Sequence, residues 1–235
     1  MSDTPTHADF VLTPPQPASV AVHNSRARFP VRRIICVGRN YAAHAREMGR
    51  DPDREPPFFF LKPADTVVDD GATVPYPPET KNFHYEIELI VAIGEAGTDI
   101  PVDRALDHVW GYGVGIDLTR RDLQLQAREQ GRPWDWGKGF DLSAPIAPLR
   151  PVSDVGHRKA GRIWLAVNGV VKQDSDISKL IWPVADIISI CSNSMALKPG
   201  DIIMTGTPEG VGPVQRGELM TGGIDGLGEI RIAVA

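Results

Sequence analysis

Residues 83–94, FHYEIELIVAIG, alternate apolar and polar side chains at a period of two over most of their length. A helix does not sustain that pattern, so the segment reads as a β-strand. Phe83, Tyr85, Ile87, Leu89 and Val91 share one face, and His84, Glu86 and Glu88 share the other. Glutamates two apart on a strand have Cα atoms about 6.7 Å apart and side chains that project the same way. They repel unless water screens them or a cation lies between them. A solvated outer face meets the first condition and a bound ion the second. The strand alone leaves both open.

Further strands are expected in VRRIICVG, PPFFFLKP and VWGYGVGIDLT, the last with glycines that let other backbone approach closely. In IWLAVNGVVKQD, Asn168-Gly169 between two apolar runs is a hairpin signal. The segments GDIIMTGTPEGVGPV and GLGEIRIAVA close the chain with strands and glycine turns. Three helices are predicted. One is short, in NYAAHAREMG, with Asn40 as N-cap, Gly49 at the C-terminus and Tyr41, Ala45 and Met48 along one side. The second runs from TRRDLQLQAREQ to Gly131, and the third is WPVADIISICSNS, with Pro183 near its start. Strands outnumber helices and do not alternate with them regularly, which argues for a mixed, β-rich α+β fold over a doubly wound or barrel α/β fold. A proline-rich arm over residues 1–30 precedes a single domain over residues 31–235.

With 42% hydrophobic residues, 23% charged residues and a net charge of −5, the 235-residue chain has a globular composition. It has no Lys/Arg cluster interleaved with aromatics, so nucleic acid is not an expected partner. Neither a signal-like N-terminus nor an apolar run of membrane-spanning length is present, and a cytoplasmic location is expected. Cys36 and Cys191 are far apart and sit in apolar runs, which suits buried, inert thiols.

Asp117, at the end of YGVGID, offers a third carboxylate to the pair Glu86 and Glu88. Oxygen-only ligation selects a hard cation, Mg²⁺ or else Mn²⁺ or Ca²⁺, over zinc. His44 and Glu47 are three apart on the predicted short helix. A carboxylate beside an imidazole fixes its tautomer and raises its basicity, as a general base requires; a surface ion pair has the same spacing. Lys138, among the aromatics and glycines of WDWGKGFD, reads either as a solvated loop charge or as a stabiliser of developing negative charge. Thr207 lies in the turn MTGTPEGVG, where a hydroxyl and backbone N–H groups can cradle an oxygen, though a plain turn has the same composition.

In order, CVGRNYAAHAREMG, PFFFLKP, HYEIEL, GVGIDLTRRDLQ, WGKGFD and GDIIMTGTPEGVG resemble the fumarylacetoacetate hydrolase family from about Arg32 to the C-terminus. The chain most resembles the acylpyruvate hydrolase branch, and its arm and HAREMGRDPDREPPFFFLKPAD stretch are similar to bacterial fumarylpyruvate hydrolases of the gentisate route. The resemblance implies a mixed β-sandwich roll with short peripheral helices, assembled as a homodimer. It implies a metal triad of Glu86, Glu88 and Asp117, a dyad of His44 and Glu47, and an active-site lysine, Lys138. It also implies substrate contacts from Thr207, Arg121 and Gln124. The activity implied is metal-dependent hydrolysis of a C–C bond in a 2,4-dioxo acid, with 3-fumarylpyruvate giving fumarate and pyruvate. A distal carboxylate on that substrate calls for a guanidinium, for which Arg39 and Arg121 are the candidates. Rival expectations are an oxaloacetate decarboxylase, an isomerase of a dienoic hydroxy diacid, and a non-catalytic metal-binding scaffold.

Overall fold

The alternating segment forms two strands, Phe83–Tyr85 and Ile87–Ile93, with Glu86 in the break between them. At the break, the N–H of Ile87 leaves the ladder and donates to Oε1 of Gln173 (3.0 Å), a buried side chain from the strand Val170–Asp176. The computed structural model describes residues 11–47 and 56–235, giving only the backbone of Ala45 and Glu47. Met48, Gly49 and the side chains of Ala45 and Glu47, all used in the sequence argument, lie outside the described residues.

The large sheet runs in the order Phe58–Lys62, Arg33–Gly38, Asp201–Met204, Ile87–Ile93, Val109–Ile116, Ala144–Ile146 and Val67–Asp69. It is mixed: Asp201–Met204 pairs parallel with Arg33–Gly38 and antiparallel with Ile87–Ile93. A second sheet of five strands has the order Val170–Asp176, Arg162–Val167, Leu219–Ile224, Gly228–Val234 and Thr73–Val74. The Asn168-Gly169 hairpin forms as expected, with both residues at positive φ (50° and 79°), the backbone that a tight two-residue turn between twisted strands requires. The main core includes Ile87, Leu89 and Val91 of the large sheet and Ile163, Leu165, Met220 and Ile232 of the second. This is the strand-rich α+β roll with few short helices that the sequence predicted.

The other face of the large sheet is also buried. Ile34, Cys36, Ile90, Ala92, Ile202 and Met204 pack there with Val20 and Phe29. Val20 and Phe29 come from the paired strands Ser19–Ala21 and Arg28–Pro30, so residues 19–30 of the predicted arm cover the sheet. Every residue of Ile87–Ile93 is therefore buried, and the solvated face that the alternation allowed does not exist. Gly111 shows why glycines recur in Val109–Ile116: a Cβ there would lie 2.4 Å from the carbonyl oxygen of Arg150. Both cysteines are buried, and burial pushes the Cys191 thiol up to about 12.

The helices observed are Ala42–Glu47, Arg121–Glu129 and Val184–Ser194, with one-turn helices at Asp135–Lys138 and Val152–Val155. Asn40 does not act as the predicted N-cap. Its amide donates to the carbonyls of Trp182 and Thr205 (both 2.9 Å) and accepts from the Trp182 N–H (2.7 Å). The pull of three backbone groups, at Trp182 and buried Thr205, outweighs the capping preference and ties three loops together. Lys138 lies on a helical turn rather than in a plain loop.

Candidate active site

Glu86 sits in the strand break, Glu88 is the second residue of Ile87–Ile93, and Asp117 follows Val109–Ile116 directly. The last two strands are neighbours, and the Asp117 N–H donates to the Glu86 carbonyl (2.8 Å), which locks the two backbones together. Ligand atoms of the three carboxylates lie within 4.8 Å of one another, and all three residues are buried, at 5%, 2% and 0% exposure. Water screening therefore cannot explain the Glu-x-Glu pair.

Positive charge compensates the cluster unevenly. Lys138 donates from Nζ to Glu86 Oε2 (2.8 Å), Asp117 Oδ2 (2.6 Å) and Thr119 Oγ1 (2.8 Å), so all three of its protons are used. Arg121 donates to Glu86 Oε1 and to Gln124 Oε1, and its Nε donates to His84 Nδ1 (3.3 Å). Burial alone would raise the Glu86 carboxyl, but Lys138 and Arg121 outweigh it and hold the group well below the usual carboxylate range. Glu88 accepts from the Gly206 N–H at Oε2 (2.7 Å). Burial, then the charges of Asp117 and Glu86, push its carboxyl well above its ordinary value. Gly206 is at φ +96°, and a Cβ there would lie 2.7 Å from that of Asn40, so the TGTP turn needs glycine to aim its N–H at Glu88.

A buried lysine, Lys62, lies against the cluster. Its Nζ lies 2.8 Å from Asp117 Oδ1, yet its protons go to the carbonyls of Leu118 (3.1 Å), Ser143 (3.1 Å) and Lys138. The contact with Oδ1 is therefore Coulombic, and Oδ1 stays buried without a hydrogen bond. An orphaned carboxylate oxygen beside an under-neutralised glutamate, in an all-oxygen donor set, fits a hard divalent cation.

All three acids line one pocket. His44, buried at 5% exposure, lines it, as do Arg39, Arg121, Gln124, Lys138 and Thr207. Thr207 accepts from Gln173 Nε2 (2.8 Å), which leaves its hydroxyl proton available. Arg39 holds a left-handed backbone (φ 59°) and sets its guanidinium 4.6 Å from the centre of the Phe58 ring. Of the ten residues singled out in the sequence, nine line this one pocket. The side chain of the tenth, Glu47, lies outside the described residues.

The model for the family described as fumarylacetoacetate (FAA) hydrolase C-terminal matches residues 33–235. The chain belongs to that family. Fumarylpyruvate hydrolase of Ralstonia sp is 47% identical over 189 residues, 80% of this chain and 98% of that protein. The mitochondrial oxaloacetate tautomerase FAHD1 of Arabidopsis thaliana is 42% identical over 202 residues, 86% of this chain and 90% of that protein. The crystal structure of fumarylpyruvate hydrolase from Pseudomonas aeruginosa in complex with Mn2+ and pyruvate superposes with a TM-score of 0.95 at 57% identity, covering 97% of this chain and 99% of that one.

This member of the FAA hydrolase family also places residues at the site that the motif reasoning did not single out. Lys62 and Phe60 lie on one side of Phe58–Lys62, two apart. The lysine ending an aromatic strand was the available signal, because an inward lysine needs a buried acid. Gln173 lies on an edge strand where neither spacing nor composition marks it. Trp134 and Arg128 line the outer pocket. Arg128 is seven residues beyond Arg121 on the same helix, a repeat that could have been read from the sequence.

Proposed function

We propose that this chain hydrolyses the C3–C4 bond of 3-fumarylpyruvate, giving fumarate and pyruvate. The carrying observation is the buried triad of Glu86, Glu88 and Asp117 lining a pocket that also holds His44 and Lys138. The relatives named as fumarylpyruvate hydrolases support the choice of substrate. We read the resident ion as Mg²⁺, with Mn²⁺ or Ca²⁺ as substitutes, and the working protein as a cytoplasmic homodimer.

A divalent cation held by the triad would supply Lewis-acid polarisation of the keto-acid oxygens. The chain's own groups do the rest. A ring nitrogen of His44 takes a proton from water, and the water oxygen bonds to C4; the family resemblance assigns Glu47 as the partner of that ring. The C3–C4 bond then breaks, its electron pair leaves as the enolate of pyruvate, and a proton at C3 completes the product. Lys138 fixes Glu86 and Asp117 and keeps positive charge beside the developing enolate. Touching the substrate directly would mean exchanging its bond to Thr119 for one to a substrate oxygen. The Thr207 hydroxyl and the Gln124 amide face the bound keto acid, and Arg121 holds Glu86 in place.

A second reading, action on oxaloacetate, is favoured by the tautomerase relative. Steady-state kinetics on fumarylpyruvate, acetylpyruvate and oxaloacetate, with and without chelator, separates the two. We expect the largest kcat/KM on fumarylpyruvate, with release of pyruvate and fumarate that stops on chelation and resumes with Mg²⁺. Preferred turnover of oxaloacetate would replace the proposal. Folded, metal-loaded protein that consumes none of the three acids would point to a binding scaffold.

A further inference from the structure

The pocket runs along one side of the helix Arg121–Glu129. Arg121, Gln124, Leu125 and Arg128, at positions i, i+3, i+4 and i+7, all line it. Exposure grades along this row: Arg121 and Gln124 are buried, Leu125 is half-buried and Arg128 is exposed at the mouth. The inner guanidinium is engaged by Glu86, Gln124 and His84. The outer one makes no ion pair or side-chain hydrogen bond among the described residues.

We propose that Arg128 recognises the distal carboxylate of a dicarboxylic dioxo acid and so sets the preference for such an acid over a shorter monoacid. This rests on the proposed hydrolysis of fumarylpyruvate. The two carboxylates of that acid are six C–C bonds apart, about 7 Å at an extended-chain repeat of about 3.5 Å for three bonds. The helix rises about 10 Å between Arg121 and Arg128, and the flexible arginine stem covers the remainder. An acid gripped at the triad therefore brings its far carboxylate under Arg128. The intervening wall includes Phe60, Leu125 and Trp134, apolar surface suited to the alkene. A guanidinium matches a carboxylate with two parallel hydrogen bonds, and an unpaired one at the mouth is ready to form them.

The rival account of Arg128 is electrostatic: it lies in the last helical turn, where a cation complements the helix dipole. That role affects helix stability and is indifferent to the substrate. The test measures kcat and KM for fumarylpyruvate and acetylpyruvate on the metal-loaded wild type and on Arg128→Met, Arg128→Lys and Arg128→Glu, with melting curves for each. The expected result is a roughly tenfold fall in the fumarylpyruvate to acetylpyruvate ratio of kcat/KM for R128M, carried mainly by KM. R128K recovers part of the ratio, and R128E falls below R128M. A ratio unmoved in R128M and R128E while the wild type cleaves both acids overturns the inference and leaves the hydrolase reading intact, as does a ratio that moves in Arg39→Met instead. A wild type inert towards fumarylpyruvate removes the hydrolase reading and this inference with it.

Discussion

Two clusters of buried charge sit at opposite ends of the paired strands Asp201–Met204 and Ile87–Ile93, and they are neutralised in different ways. At one end Asp201, with no exposed surface, accepts from Arg32 Nε (2.9 Å), Arg33 NH2 (3.1 Å) and the Lys198 N–H (2.9 Å). One carboxylate faces two guanidiniums, and both arginine side chains reach solvent, at 39% and 23% exposure. At the other end three carboxylates converge. Glu86 is over-served by Lys138 and Arg121, Asp117 keeps one oxygen without a hydrogen bond, and Glu88 accepts from the Gly206 N–H. Charge that holds a fold together is saturated with hydrogen bonds, whereas the triad keeps three acids together with one carboxylate oxygen unbonded, the imbalance expected of a cluster that takes a cation.

The largest expected effect comes from removing the short-served acid. Glu88→Gln keeps an acceptor for the Gly206 N–H but deletes a carboxylate of the proposed metal triad. The kcat should fall about a thousandfold, roughly 4 kcal/mol of barrier, and Mn²⁺ affinity by isothermal titration should fall with it. Stability should move the other way. Melted in chelator, the variant should be more stable than the wild type by about 1 kcal/mol, because the wild type must bury Glu88 either as a third negative charge or protonated against its ordinary preference. A lower melting temperature in chelator would mean that the triad is itself a structural cluster, and the contrast between the two ends would fail.

Lys62 shows that the candidate active site also contains a closed element. It lies behind Asp117, with three carbonyls as acceptors and no solvent exit. Lys62→Met strands those carbonyls and leaves Asp117 with less positive charge. A loss of about 3 kcal/mol in urea unfolding of the chelated protein is expected. If the loss vanished and only metal affinity changed, Lys62 would belong with the ligand-facing side of the cluster.

How much of this was legible in the sequence depends on which interactions fix each residue. The Glu-x-Glu spacing put two carboxylates on one face because strand geometry is local, and the Asn168-Gly169 turn was readable for the same reason. Asp117 was recognisable as a carboxylate at a strand end, but its pairing with Glu86 depends on strand order, which no local pattern encodes. Asn40 was misread as a cap because its partners, Trp182 and Thr205, lie more than 140 residues away. Gln173 stayed hidden because its role is to fill a break that exists only once Phe83–Tyr85 and Ile87–Ile93 have separated. The alternation itself misled about solvent, since residues 19–30 cover a face that would otherwise be wet.

The smallest effect is expected at the saturated end. Asp201→Asn leaves two guanidiniums without their acid, yet both reach water, so the cost should be about 2 kcal/mol rather than the larger penalty of an entombed charge. Turnover and Mn²⁺ affinity of the folded protein should stay within about twofold of wild type, because Asp201 opens a four-residue strand and Gly206 lies past its other end, on the order of 10 Å or more away. At that separation, with no shared partner, the stability changes of D201N and E88Q in chelator should add to within about 0.5 kcal/mol in the double variant. Urea unfolding of the four proteins tests this directly. A coupling well beyond that margin would show that the sheet transmits strain between its two ends, and the clusters would then have to be treated as one electrostatic unit.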